Sequence, residues 1–504
     1  MQVTYYMIGP LLTFMLSGML CLLFNKHVKV QRFIALTGSL LAFGLAVMLV
    51  SVIDRLDTIV MQLGGWEAPF GITLFVDRFA ALMICITALL ALAVSIFSFA
   101  EDVLSSKKKR IGFYPAYLFM LAGISGAFLT GDLFNLYVWF EVMLISSFVL
   151  ITLGSKKDQL QGGIKYVVIN FVASSFLLLA IGILYGTTGN TNLAALAESL
   201  RDPSLKSITQ LAAVLLLVSF GIKSALFPFY FWLPSSYHTP PIAITAIIAG
   251  LLTKVGVYTL IRTFTLLFPL QQYHLIQQLV LVLSCITMLI GVLGAINQQD
   301  IRKILAFNLI SKIGLMVFGL AVYTPIAICG AIFYMLHHIL VKTNLFFVAG
   351  IIGKVAGSYE AKKIKGLYDH FPLLSFIFMI LSLTLVGIPP FSGFWGKFML
   401  VDAGFKSKEY LPIAIMLVTS LLTLYSMTLI WKKCFLPEYA KEKQQLPLER
   451  VYLKKHYHMY LASFFLLIIT LWISFSPTWL IDYTRKAAEQ VLQPTNYINA
   501  VLKK

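Results

Sequence analysis

Apolar residues run along this chain in stretches of about twenty, separated by short polar or charged segments. One helix needs about 20 apolar residues to cross the hydrocarbon core of a bilayer. Backbone polar groups in lipid must bond within their own segment, so each stretch reads as a helix. The pattern predicts fourteen spans, near 5–24, 33–53, 80–100, 113–130, 133–154, 166–186, 208–228, 242–262, 276–296, 303–323, 325–349, 373–396, 411–432 and 457–476. The longest connections lie near 54–79, 187–207, 350–372 and 433–456, and the sequence shows no soluble domain or low-complexity tract. The first stretch, from about Tyr5 to Phe24, follows no basic segment and reads as a retained helix rather than a cleaved signal. The last 25 residues mix polar and apolar positions and suit an amphipathic helix at the outer surface.

Composition agrees. The 504 residues are 59% hydrophobic and 12% charged, against about 25% charged in a soluble domain. Cys21, Cys85, Cys285, Cys329 and Cys434 are scattered through apolar stretches without CxxC spacing, which suggests neither a disulfide framework nor a metal site. The net charge of +18 would fit nucleic acid, but its distribution points to a membrane. Twenty-three of the 39 lysines and arginines fall on alternate loops, among them Lys26, Lys29 and Arg32, Lys107–Arg110, Lys156 and Lys157, Arg302 and Lys303, and Lys362–Lys365. Eleven, including Arg55, Arg201 and Lys406, fall on the opposite loops. The richer side is expected in the cytoplasm, with both termini outside and anionic lipid as the partner of the basic loops.

Five lysines fall inside spans or at their ends: Lys223, Lys254, Lys312, Lys342 and Lys397. Of the 21 acidic residues, Glu141 alone is expected well inside a span, with Asp132 and Asp300 at span ends. An ionisable residue at the centre of a membrane helix costs at least about 2.5 kcal/mol and marks a functional site. Glu141 in the fifth span and Lys223 in the seventh form a candidate pair whose charged forms support each other, suited to proton work. The bland alternative is a permanent ion pair that fixes packing. Lys254 extends a basic path on the eighth span. His337 and His338, with Lys342 one turn beyond, follow on the eleventh, and histidine titrates near neutrality. Lys312 reads as a residue that snorkels or lines a cavity.

The twelfth span contains Gly387-Ile-Pro389-Pro390-Phe-Ser-Gly393-Phe-Trp-Gly396-Lys397, which cannot form a regular helix. The seventh carries Lys223, then Pro228 and Pro234. Broken helices in membranes mark ion sites because freed carbonyls and half-helix dipoles face a cavity; simple kinks are the alternative. The two breaks lie five spans apart. This suggests two repeats, spans 4–8 and 9–13, inverted because their first spans enter from opposite sides. Four parts follow: residues 1–112, 113–265, 266–434 and 435–504. No Walker motif, dinucleotide fingerprint, zinc spacing or catalytic triad is present, so no cofactor is expected.

These motifs resemble the antiporter-like subunits shared by Mrp-type multisubunit cation/proton antiporters and the membrane arm of respiratory complex I. The resemblance covers nearly the whole chain. It rests on Ser125-Gly-Ala-Phe-Leu-Thr-Gly-Asp132-Leu-Phe-Asn135, Phe140-Glu141, Lys223-Ser-Ala-Leu-Phe-Pro228, Phe231-Trp-Leu-Pro234, Leu252-Thr-Lys254-Val-Gly256, Gln299-Asp300-Ile-Arg-Lys303, the His338–Lys342 segment, and Gly387-Ile-Pro-Pro390 with Lys397. Within the family, Leu63-Gly-Gly-Trp-Glu-Ala-Pro-Phe-Gly71 and Tyr497-Ile-Asn-Ala-Val-Leu-Lys503 resemble the D subunits of the Mrp branch. Tyr230 replaces the histidine common after Phe-Pro-Phe in the complex I branch.

The resemblance implies an all-α membrane fold of fourteen helices with two inverted five-helix repeats, broken at helices 7 and 12. It implies that Glu141 and Lys223 form a coupling pair, Lys254 and His338 a central relay, and Lys397 a terminal lysine, with His337 a weaker match. It also implies other Mrp subunits as partners and proton influx driving sodium efflux across a bacterial cell membrane. Two readings stand beside it: a proton-pumping membrane subunit of complex I or a membrane hydrogenase, and a structural scaffold.

Overall fold

The computed structural model describes residues 2–100, 112–436 and 449–503. The basic loop Lys107–Arg110 and residues 437–448 lie outside the described residues.

The chain opens with α1 (Gln2–Leu23) and α2 (Val28–Leu56). A short antiparallel hairpin, β1 (Ile59–Gln62) and β2 (Thr73–Val76), leads into α3 (Arg78–Ser98). Next come α4 (Phe113–Leu129), α5 (Leu133–Thr152), α6 (Lys157–Thr188), the short α7 (Leu193–Ser199), α8 (Lys206–Ser224), α9 (Trp232–Ser236) and α10 (Ile242–Leu266). The second half holds α11 (His274–Ile296), α12 (Ile301–Val322), α13 (Pro325–Ala356), α14 (Leu367–His370), α15 (Pro372–Val386), α16 (Ser392–Lys406) and α17 (Tyr410–Ile430). Then follow α18 (Glu449–Phe475), α19 (Thr478–Val491) and α20 (Pro494–Leu502).

Among the described residues, twelve segments are long and apolar enough to cross a membrane, and two shorter apolar helices, α4 and α15, complete the fourteen expected spans. The chain is a multi-pass membrane protein. Several boundaries differ from the expected ones. The seventh span stops at Ser224, and the twelfth divides into α15 and α16, the second running on to Lys406. The fourteenth begins at Glu449, because a helix continues into polar sequence that an apolar count cannot see. The expected single C-terminal helix is two, α19 and α20, since Pro494 starts a new helix. The hairpin fills the loop 54–79, where no element was expected.

α10 is buried along its whole length, and α12 and α13 nearly so. Large apolar side chains are exposed on α2, α5, α6, α11, α17 and α18, as expected of faces turned to lipid or to other subunits. The polar chemistry therefore gathers around the three central helices.

The two halves share a frame. Asp132 caps the start of α5 and Asp300 the start of α12. Each joins a bridge to a later loop, Asp132 with Asn192 and Asp300 with Glu360, and in both the partners lie 168 positions apart between halves. Gly123 and Gly126 on α4 let Met143 and Trp139 of α5 approach; Gly291 and Gly294 on α11 do the same for Ser311 and Phe307 of α12, again 168 positions on.

The breaks are alike too. α8 ends in left-handed Ala225 and α15 in left-handed Gly387. The next residue donates its N–H five residues back, Leu226 to Gly221 O and Ile388 to Leu383 O.

α10 presses Gly256 against α8. A Cβ there would stand 2.7 Å from Ser224 N and 3.0 Å from the Lys223 carbonyl carbon, backbone atoms that cannot rotate away. Gly256→Val is therefore expected to lower the amount of subunit in the membrane, measured by immunoblot with the other subunits co-expressed. Gly182→Ala, where nothing lies within 4 Å, should leave the amount unchanged. Equal amounts of both variants would show that the contact is dispensable.

Candidate ion-translocation site

Glu141 and Lys223 do not touch. Ser174 of α6 stands between them: its hydroxyl donates to Glu141 Oε1 at 2.5 Å and accepts from Lys223 Nζ at 3.2 Å. The expected pair is thus bridged by a hydroxyl, because α6 packs between α5 and α8 at this level. Lys223 is buried, with its ammonium 4.3 Å from the centre of the Phe140 ring, a cation–π contact that helps offset desolvation. Glu141 is partly buried and shares a stripe of α5 with exposed Phe134, Val138 and Ile145. The carboxylate lies at the edge of the subunit.

Lys254 and Lys342 are wholly buried at the centre of the bundle. Lys254 Nζ donates to Ala249 O at 2.6 Å on its own helix. Among the described residues, Lys342 Nζ and both ring nitrogens of His338 have no hydrogen-bond partner. Lys254, Lys342, His337 and Lys312 are all within electrostatic range of His338. His337 shares a 2.8 Å hydrogen bond between Nδ1 and the Ser392 hydroxyl, and its Nε2 has no partner among the described residues. The Tyr334 ring stacks on His338, and its hydroxyl is likewise buried and unbonded. Buried polar groups are normally bonded, so several unpaired ones in a single region point to ordered water.

Lys312 does not snorkel. It is buried, donates to Thr423 Oγ1 at 2.8 Å, and lies within electrostatic range of His337, His338, Lys342 and Lys397. Lys397 folds over Gly387, where a Cβ would meet its Cδ at 2.9 Å. Its ammonium donates to Val386 O, the last carbonyl before the break, and to Ser420 Oγ at 2.8 Å. Among the described residues, no carboxylate is a charged neighbour of Lys254, Lys312, Lys342, Lys397, His337 or His338. Basic groups gathered in a low dielectric repel one another when charged.

Of the seven expected residues the structure buries six, Lys223 beside the Ser174 bridge and Lys254, Lys342, His338, His337 and Lys397 in the group that Lys312 joins, and leaves Glu141 partly buried at the edge. Sequence reasoning missed Ser174, which looks like any small residue of a membrane helix; its spacing from Glu141 gives no signal. It also counted Arg262 and Asp77 with the loops. Both are buried and form a two-bond ion pair.

A family model described as "NADH:quinone oxidoreductase/Mrp antiporter, TM" matches residues 130–423, more than half the chain and all of the row. The chain belongs to this family. It is 41% identical over 497 residues to the D subunit of the Na(+)/H(+) antiporter of Alkalihalophilus pseudofirmus, covering 98% of each. Among solved structures, a chain of the Mrp complex from Dietzia sp. DQ12-45-1b is 30% identical with a TM-score of 0.88 over 99% of both chains. A chain of the membrane-bound sulfane sulfur reductase, an archaeal respiratory membrane complex, is 25% identical with a TM-score of 0.90 over the full length of both.

Ser174 offers the sharpest test of this end of the row. A hydrogen bond to a charged group is worth about 1.5–3 kcal/mol, so Ser174→Ala should slow exchange by about tenfold or more at normal subunit abundance. Ser174→Thr keeps the hydroxyl and should retain most of the rate. An unchanged rate in Ser174→Ala would remove the bridge from the mechanism.

Proposed function

We propose that this chain is the proton-translocating D-type subunit of a multisubunit sodium/proton antiporter, coupling proton influx to sodium efflux across a bacterial cell membrane. The observation that carries this is the row of buried ionisable side chains spanning both halves, with unpaired groups at its centre. A fixed structural ion pair needs no such extension. The antiporter relatives support the choice of driving reaction.

In this reading Glu141 takes a proton and releases Lys223 from its side of the Ser174 bridge. Lys223 then passes charge inward toward Lys254. His338, Lys342 and His337 carry the proton between the halves, and Lys397 ends the path. Other subunits of an Mrp-type complex are the partners, consistent with a carboxylate at the subunit edge. The 168-position correspondence supports two related units, residues 113–265 and 266–434, after helices 1–112 and before 435–504. The chain acts as a transporter subunit rather than an enzyme. A second reading, a proton-pumping subunit of a redox complex, is favoured by the likeness to the sulfane sulfur reductase chain.

Glu141→Ala and Lys223→Ala should both abolish sodium-driven dissipation of a pH gradient in everted vesicles while the complex stays assembled. Glu141→Asp should retain part of the rate, and Lys397→Ala should impair it. Normal exchange in Glu141→Ala would refute the relay. The purified complex in liposomes, with imposed gradients and no electron donor, separates the readings: exchange supports the antiporter, and its absence the redox subunit.

Orientation is a separate proposal. The positive-inside pattern puts Lys362–Lys365 in the cytoplasm and both termini outside. A cysteine placed at 363 should resist an impermeant thiol reagent in intact cells; labelling from outside would reverse the assignment.

A further inference from the structure

A cavity of about 450 Å³ opens where α6 and α12 begin, on the face that the positive-inside pattern puts in the cytoplasm. Asp158, Gln161 and Lys165 of α6 line it from the first half, and Gln298 and Lys303 from the second. His238 lines it from the segment that follows the first break. The walls are fixed by close packing. Gly162 lets α6 lie against that segment, where a Cβ would stand 3.0 Å from Ser235 O and 3.2 Å from Ser236 Cα. Gln159 Nε2 donates to Thr239 O at 3.1 Å, and His238 Nδ1 donates to Pro234 O at 2.8 Å. The recess is therefore preformed.

Its depth and charge suit one kind of ligand. Lys165 stands directly before the expected span 166–186, and Lys303 opens the expected span 303–323. Both ammoniums therefore lie where hydrocarbon gives way to lipid headgroups. Neither forms an ion pair among the described residues, whereas the neighbouring Arg302 is paired with Asp300. The lining sets one carboxylate, Asp158, against the two lysines. The N-terminal ends of α6 and α12 add partial positive charge. Apolar surface flanks the recess. Leu160, Ile164 and Val168 form an exposed stripe of α6 beside Gln161 and Lys165, and Phe231, also exposed, precedes the wall at Pro234.

We propose that this recess seats the headgroup of an anionic phospholipid, with its phosphodiester between Lys165 and Lys303 and its acyl chains along Leu160, Ile164 and Val168. Such a seat is more specific than the pull of basic loops on anionic lipid, and it stands whether or not the chain moves protons. A phosphodiester carries a single negative charge, which matches the excess of lysine over aspartate in the lining. Bonds from an ammonium to a phosphate oxygen are charge-assisted and short. The hydroxyls of a glycerol headgroup can donate to Asp158, which gives the lone carboxylate a partner of the right kind. Free phosphate offers the same charge but nothing to cover the apolar stripe, so the lipid is the better fit. Basic pockets between membrane helices on the cytoplasmic side are a known form of headgroup recognition. The lining comes from both halves, and the wall at Pro234–Thr239 follows the first break. A seated headgroup therefore braces that break against the second half.

The test uses the whole complex in nanodiscs of phosphatidylcholine, alone or mixed with phosphatidylglycerol. Gln161→Cys puts a thiol in the recess, and its alkylation by uncharged N-ethylmaleimide is followed by mass spectrometry of the peptide that carries it. Phosphatidylglycerol should slow that alkylation several-fold. Asn25→Cys, exposed in the loop between α1 and α2 and outside the lining, should react equally fast in both lipids. Lys165→Gln together with Lys303→Gln, in the Gln161→Cys chain, should abolish the slowing. Inorganic phosphate added to the phosphatidylcholine nanodiscs should leave the rate unchanged. Equal rates in the two lipids, slowing that survives the loss of both lysines, or equal slowing by inorganic phosphate would overturn the lipid seat. If the double lysine variant fails to assemble, the lipid and phosphate arms on Gln161→Cys decide alone. Any of these failures would leave sodium/proton exchange, and its dependence on Glu141, standing.

Discussion

Positive charge buried without matching negative charge is the condition to which the rest of this structure answers. Each ammonium in the bilayer interior costs at least about 2.5 kcal/mol, and six basic side chains lie in a row with no carboxylate among their charged neighbours in the described residues. The fold meets the cost piece by piece. Lys223 has an aromatic face and a hydroxyl, Lys254 a carbonyl, Lys312 a threonine, and Lys397 a carbonyl freed by a helix break with a serine beside it. Support thins toward the middle, where Lys342 and His338 find no hydrogen-bond partner among the described residues. Hydrogen-bonded support is therefore densest at the ends of the row and thinnest at its centre.

The two halves apply one frame to different ends. Both breaks turn at a left-handed residue and close with the same five-residue hydrogen bond. Yet Lys223 precedes its break and Lys397 follows its own. At the first break the indole of Trp232 takes the Ile222 carbonyl, so Lys223 is left to the Ser174 hydroxyl and the Phe140 ring. At the second the lysine itself takes the Val386 carbonyl. Lys223 is held by groups that let it exchange partners, whereas Lys397 is tied to the backbone. A shared frame alone would make the ends equivalent; the placement of one lysine makes them different.

Much of this was legible in the sequence. Twenty-residue apolar stretches fix the spans, because length against bilayer thickness is a one-dimensional constraint. Pro-Pro and Gly387 announce the second break, and a glutamate or lysine inside a span is conspicuous by its cost. Ser174 was not legible, since its importance lies in being between α5 and α8, a property of packing. Arg262 and Asp77 were hidden for a related reason. Each sits at a span end, where charged residues are ordinary, and only folding brings Arg262 onto Asp77 among Phe75, Phe79 and Tyr258. The hairpin at Ile59–Val76 escaped because two four-residue strands are too short for periodicity to register.

The position of Glu141 bears on why a single chain carries so lopsided a set of charges. Its carboxylate lies on the stripe of α5 that also carries exposed Phe134, Val138 and Ile145. Facing hydrocarbon, an ionised carboxylate there would be costly, and the Ser174 hydroxyl gives it one bond where it can accept several. Under the proposed function that face belongs against a neighbouring subunit, so the charge balance of the row is closed across the complex. The lysine-rich interior and the edge carboxylate then express one constraint at two scales. Within the chain, the proposed relay would move protons among basic groups that have no carboxylate among their charged neighbours in the described residues. Between chains, that reading has the acid at the edge couple the relay to a partner, because a carboxylate at an interface would make its protonation state felt on both sides.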